Sequence, residues 1–102
     1  MRVIKCLTEK IEEELHDAEA YIDLAKDWKE ESEDAADLFA KLSEEEMKHV
    51  DMLHEEVTAQ IQDYREKHGD PPKVMLALYE DIHKKNIEKA MMIRVKQGMY
   101  KA

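Results

Sequence analysis

Apolar side chains recur at three- and four-residue intervals along nearly the whole chain, and the rhythm is interrupted twice. It first runs through Ile4, Leu7, Ile11, Leu15, Ala18, Tyr21, Ile22, Ala25 and Trp28. After Glu30–Asp34 it resumes at Leu38, Leu42, Leu53, Val57 and Ile61. After His68-Gly69-Asp70-Pro71-Pro72 it returns at Val74, Leu78, Ile82, Ile87, Ala90 and Val95. A period near 3.6 is the signature of helices that bury one face. The chain is therefore read as one all-α domain, residues 1–102, with helices at about 3–31, 33–67 and 71–97. Ser32 is placed to cap the second helix, with Glu33 and Asp34 favourable at its positive end. Gly69 suits a left-handed stop, Asp70 a cap for the third helix and Pro71 its first position. Gly98 is expected to let the tail fray. The short first connection folds the second helix back antiparallel on the first. At about 50 Å, the second helix outreaches its partner. Ser43-Glu44-Glu45-Glu46 resembles a capping box, but the stripe stays in phase through it, so the helix is read as continuous.

Two residues interrupt the second stripe with the wrong chemistry. Stepping from Leu42 to Leu53 by fours and threes passes through Glu46 and His49. A carboxylate and an imidazole three residues apart project side by side from a helix. Their burial is costly unless something compensates. Glu14 is the matching intruder on the first helix, between Ile11, Ala18 and Tyr21. Counted outward from a turn near residue 32, Glu14 lies about 18 residues back, and Glu46 and His49 about 14 and 17 forward. An antiparallel hairpin brings the three to nearly one height. Two carboxylates and an imidazole with open positions suit iron or manganese, and zinc less well.

Composition narrows the partners. Glu, Lys, Ala, Leu and Met dominate, with two Gly and two Pro, as expected of long helices. The single cysteine, Cys6, forms no disulfide framework within a chain, and a reducing, cytoplasmic setting is expected. No apolar run approaches the length of a membrane span, and MRVIKCL is too short for a secretory signal. The net charge is −9. Residues 1–67 carry 21 acids and 9 bases, whereas residues 68–102 carry 4 acids and 7 bases. The acidic part would repel nucleic acid and gather cations.

Glu14 with Tyr21 seven residues on, followed by Glu46-x-x-His49, resembles half of the ferritin-like di-iron pattern of rubrerythrins. A chain of this length resembles encapsulated ferritins, whose protomer is a helical hairpin with a further helix. The likeness covers roughly Ile11 to Val57. It implies a four-helix ferritin-like bundle completed by dimerisation. The bundle would hold an inter-subunit centre with two irons per dimer that oxidises Fe(II) to Fe(III) in iron storage or detoxification. Glu14, Glu46 and His49 would then be the ligands and catalytic residues. Tyr21 would be a hydrogen-bond partner behind them, and Glu13 and His16 would lie near a metal access route, where the family favours acids. The resemblance also implies a ring-like higher oligomer and residence inside a protein shell. The last residues, MIRVKQGMYKA, contain no recognisable encapsulation peptide.

Other readings remain open on the residues themselves. Glu-x-x-His also occurs at Glu13/His16 and Glu80/His83, with Asp51/His54 a near relative. His16 has polar helical neighbours and is expected at the surface, as is His54. His83 lies among Leu76, Tyr79, Ile87 and Ala90, but helix 3 brings no second acid to its seam. The Glu14/Glu46/His49 set could equally be a polar layer fixing register in a non-catalytic helical interaction module. It could also bind metal without turnover. Tyr21 and Trp28 are expected in a core or interface. Cys6 is expected to act as a small apolar residue.

Overall fold

The computed structural model describes residues 2–102. It is all-α: α1 spans Arg2–Trp28, α2 Glu33–His68 and α3 Lys73–Lys101. No strand occurs among the described residues, and no helix is long and apolar enough to cross a membrane. The molecule is a rod with extents of 55 × 19 × 18 Å. Ser32 caps α2 as expected, its Oγ accepting from the Ala35 N–H at 3.3 Å. Gly69 adopts φ 80°, in the left-handed region, and its N–H closes the last turn on the Arg65 carbonyl at 2.9 Å. A β-carbon would be strained there.

The hairpin meets through small side chains. Ala18 and Ala25 on α1 and Ala36, Ala40 and Ser43 on α2 are all buried. Small residues let two helix backbones approach closely, and here they do. The buried Ser43 hydroxyl donates to the Ala18 carbonyl of the opposite helix at 2.6 Å. It also accepts from the Gln97 side-chain amide at 2.9 Å, so one hydroxyl ties all three helices. Below it, Ile11, Leu15, Met47, Val50 and Val57 form the main core together with Ala90 and Ile93 of α3. Fully burying Leu15, Val57 or Ile93 contributes about 1.5–3 kcal/mol each.

The third helix runs parallel to α1 and is fastened by charge. Lys89 donates to Glu19 at 2.6 Å, and Lys96 to Glu19 at 3.3 Å and Asp23 at 3.0 Å. Arg94 pairs with Asp51 at 3.5 Å, and Lys101 pairs with Glu44. The basic segment thus neutralises part of the acidic hairpin. Tyr100 completes the clasp. Its hydroxyl donates to Asp37 at 2.6 Å and its carbonyl accepts from Lys29 at 3.1 Å. The Asp37 hydrogen bond pushes the Tyr100 phenol up to about 12.

Several local expectations are corrected. α3 starts at Lys73, with Pro72 as its first flanking residue and no side-chain cap. Asp70 instead meets Arg65 at 3.5 Å. The tail does not fray at Gly98. The helix continues to Lys101 because Tyr100 and Lys101 are anchored to the hairpin. α1 ends at Trp28, sooner than expected, because the backbone turns through residues 29–31. The buried stripe of α2 is Ala36, Ala40, Ser43, Met47, Val50 and Val57; Val57 is core as expected, whereas Leu42 and Leu53 are not in the stripe. Leu42 and Leu53 are half-buried on the flank and Leu38 is exposed. Cys6 is exposed rather than packed.

The Glu19 clasp has a pH signature. The Lys89 hydrogen bond holds the Glu19 carboxyl below its ordinary value of 4.5. Its stabilisation is complete above that value and lost as pH falls through the lowered one. Urea denaturation should therefore show Glu19→Gln less stable than wild type by about 1 kcal/mol at pH 6. The gap should close as both proteins are taken below pH 4.

Candidate metal centre

Register places the site. Glu14 lies one turn before Ala18 on α1, and Glu46 lies three residues after Ser43 on α2, so the Ser43–Ala18 contact sets them level. His49 follows one turn later. Its Nδ1 is 3.5 Å from Glu14 Oε2 and 3.8 Å from Glu46 Oε2. One ligand atom from each residue lies within 4.8 Å of the others. Ligand bonds of about 2.1 Å keep donors on one ion within about 4.2 Å of each other. A cation would need to draw this set together only slightly. Among the described residues, no other three His, Cys, Asp or Glu side chains converge in this way.

Glu46 Oε2 is buried and has no hydrogen-bond partner. His49 Nδ1, at 3.8 Å, is beyond hydrogen-bond reach, and a buried carboxylate oxygen without a hydrogen bond costs about 1–3 kcal/mol. A cation between the three side chains would meet that need. The donor set is hard, with two carboxylates and one imidazole, which fits a first-row divalent ion with open positions.

The three side chains do not sit inside the single chain's core, as the sequence stripe suggested. Glu46 and Glu14 side chains are 18% and 26% exposed and that of His49 is 53% exposed. Residues of the hairpin that bind α3 include Glu19, Asp23, Asp37, Glu44 and Asp51. At 3.6 residues per turn, Glu14, Glu46 and His49 lie roughly 120–180° round their helices from those positions. The site therefore opens on the face of the hairpin turned away from α3. That same face carries Leu24, Trp28 and Leu38, all exposed, and the half-buried Tyr21, Leu42 and Leu53.

The other candidates fall elsewhere. Tyr21 stacks on Phe39 with centroids 6.3 Å apart, and among the described residues no hydrogen bond joins it to the three ligands. Glu13 is exposed and takes a hydrogen bond from Lys10 at 2.9 Å. Glu13 and His16 line a shallow acidic depression with Glu9, Glu12 and Asp17, apart from the three ligands. Among the described residues, His83 belongs to no cluster of three metal-ligating side chains, although Glu80 lines the same groove. It is sandwiched between His54 and Tyr79, with centroids 4.7 and 5.7 Å away and rings nearly parallel. His54 is thus half-buried, not a surface residue. Burial, together with His54, lowers the His83 imidazole below its ordinary value, so it packs neutral. The Ser43 bridge and this ring stack were not anticipated. The only sequence signals were a serine in phase with Ala36 and Ala40, and two histidines on apolar flanks.

No protein-family model matches the chain, no curated protein matches it, and no solved structure matches it. What the site can do is therefore read from its own geometry.

With chelator present, removing the orphaned carboxylate should not weaken the fold. Glu46→Leu at pH 7.5 should unfold in urea within about 1 kcal/mol of wild type, or later. A loss above about 3 kcal/mol would mean that Glu46 has a protein partner that stabilises the fold.

Proposed function

We propose that this chain is a ferritin-like iron-oxidising protein whose site is completed by a second copy. The observation that carries the reading is the convergence of Glu14, Glu46 and His49 around a buried, partnerless carboxylate oxygen. One hairpin offers a single Glu from one helix and a Glu-x-x-His from the other. Ferritin-like di-iron bundles use two of each. Two hairpins related by a two-fold axis supply that set. The exposed apolar residues flanking the site favour closure by a like surface, since Leu24, Trp28 and Leu38 would be covered together with it.

In this reading Fe(II) is the substrate, and the dimer holds two irons. Manganese or zinc could occupy the same donors. Glu14 and Glu46 supply negative charge that favours the ferric state, and His49 supplies a neutral nitrogen at the mouth. Bound there, two Fe(II) would together give two electrons to dioxygen, which leaves as hydrogen peroxide after taking up two protons. The carboxylates also hold the ligand geometry, because Glu46 is largely buried and Glu14 is set by the hairpin register. His49, half-exposed, is the side chain free to admit the metal.

A second reading has one observation in its favour. His49 Nδ1 lies 3.5 Å from Glu14 Oε2, within ion-pair distance without any metal. The cluster would then be a polar layer of a helical interaction module. Aerobic Fe(II) titration, followed by absorbance in the near ultraviolet, separates the two. Oxidation should saturate near one iron per chain. It should slow about tenfold or more in His49→Ala, which is half-exposed and should not unfold the protein. Oxidation at the buffer rate in wild type would leave the structural layer as the account of the cluster.

A further inference from the structure

Of the α3 residues left uncovered by the hairpin, one set falls along a single outward stripe, while Met75, Ile87 and Met91 are exposed off it. Its first end is Val74 and Leu78, exposed by 81% and 61%. Its last end is Met92, Val95 and Met99, exposed by 42%, 61% and 72%. Between them stand Asp81, Lys85 and Glu88, also exposed. From Val74 to Met99 the steps alternate between four and three, the spacing of a coiled-coil seam. Ala90, Ile93 and Gln97, which dock α3, lie on a different face, while Lys89 and Lys96 flank the stripe and reach back to Glu19. A monomer seldom leaves so much aliphatic surface in water.

The stripe is complementary to itself when reversed. Laid antiparallel on a second copy, Val74 meets Met99, Leu78 meets Val95 and Lys85 meets Glu88, each twice about the two-fold axis. Asp81 then meets Met92, but it brings its own counter-ion, since Lys85 of the same chain is 3.1 Å away. The parallel arrangement is excluded by charge. It would set Asp81 on Asp81, Lys85 on Lys85 and Glu88 on Glu88, and like charges in a seam are destabilising.

We propose that the outer stripe of α3 is a self-association surface, binding the same stripe of a second copy of this chain in antiparallel orientation. The apolar ends supply the attraction and the Lys85–Glu88 pairs fix direction and register. This contact stands without the metal reading. It lies on the side of the molecule away from the Glu14/Glu46/His49 face, so both surfaces can be engaged at once. Two different two-fold contacts on one chain link copies onward and generate a closed ring when the geometry returns on itself.

Sedimentation velocity of the full chain in chelator, at low ionic strength, tests it. Lys85→Glu should at least halve the mass of the wild-type assembly, because the introduced carboxylate then faces Glu88. The double variant Lys85→Glu with Glu88→Lys should restore it. Glu88→Lys alone should also dissociate, and mixing it with Lys85→Glu should rebuild the larger species from two folded variants. A wild-type chain that is monomeric, a mass unchanged by Lys85→Glu, or no recovery in the double variant would each overturn the contact. Iron oxidation is read separately, so failure here leaves the metal proposal standing and failure there leaves this one.

Discussion

The close approach of α1 and α2 at Ala18 and Ser43 is the constraint on which the remaining geometry depends. A 2.6 Å hydrogen bond from a side chain of one helix to the backbone of the other leaves no room to slide. Slippage by one turn would move the Ser43 hydroxyl away from the Ala18 carbonyl and would strand the Gln97 amide that it receives. With that register fixed, Glu14 is held beside Glu46 and His49 with no further device. The site is thus a consequence of helix packing, and its precision derives from the small residues above it. The cost is concentrated in one atom, the buried Glu46 Oε2.

The two long faces of the rod have different characters. On one side α3 is clasped by lysines and an arginine onto Glu19, Asp23, Asp51 and Glu44. These pairs are partly exposed and individually weak, but two share Glu19 and two share Lys96, which limits the entropy lost for each. On the other side the hairpin is not covered by α3, and Glu14, Glu46 and His49 lie between apolar flanks. The third helix therefore covers one face of the hairpin and leaves the face that carries Glu14, Glu46 and His49 exposed. That division assigns α3 a structural task that its sequence alone did not suggest.

Much of this was legible in the chain. The helices followed from the apolar period, and the breaks from Ser32, Gly69 and the two prolines. The levelling of Glu14 with Glu46 and His49 followed from counting residues on either side of the turn. The seam of α2 was misplaced because hydropathy gives little weight to Ala and Ser. Leu38, Leu42 and Leu53 looked like the core, while Ala36, Ala40 and Ser43 are what allow the backbones to meet. The tail beyond Gly98 was misjudged for a related reason. Its order comes from Tyr100 and Lys101 reaching Asp37 and Glu44, contacts some sixty residues apart that no local pattern encodes. His54 and His83 are joined by the same kind of distant packing.

The central claim is that Glu14, Glu46 and His49 bind metal jointly with a second copy. Crystals grown with Fe(II) under anaerobic conditions, and measured at the iron absorption edge, test it most directly. The account predicts two anomalous peaks per pair of chains, each within bonding distance of a Glu46 carboxylate and a His49 nitrogen, close to the two-fold axis between facing hairpins. Iron absent from these side chains, or bound by the three within one chain whose hairpin face is open to solvent, would contradict it.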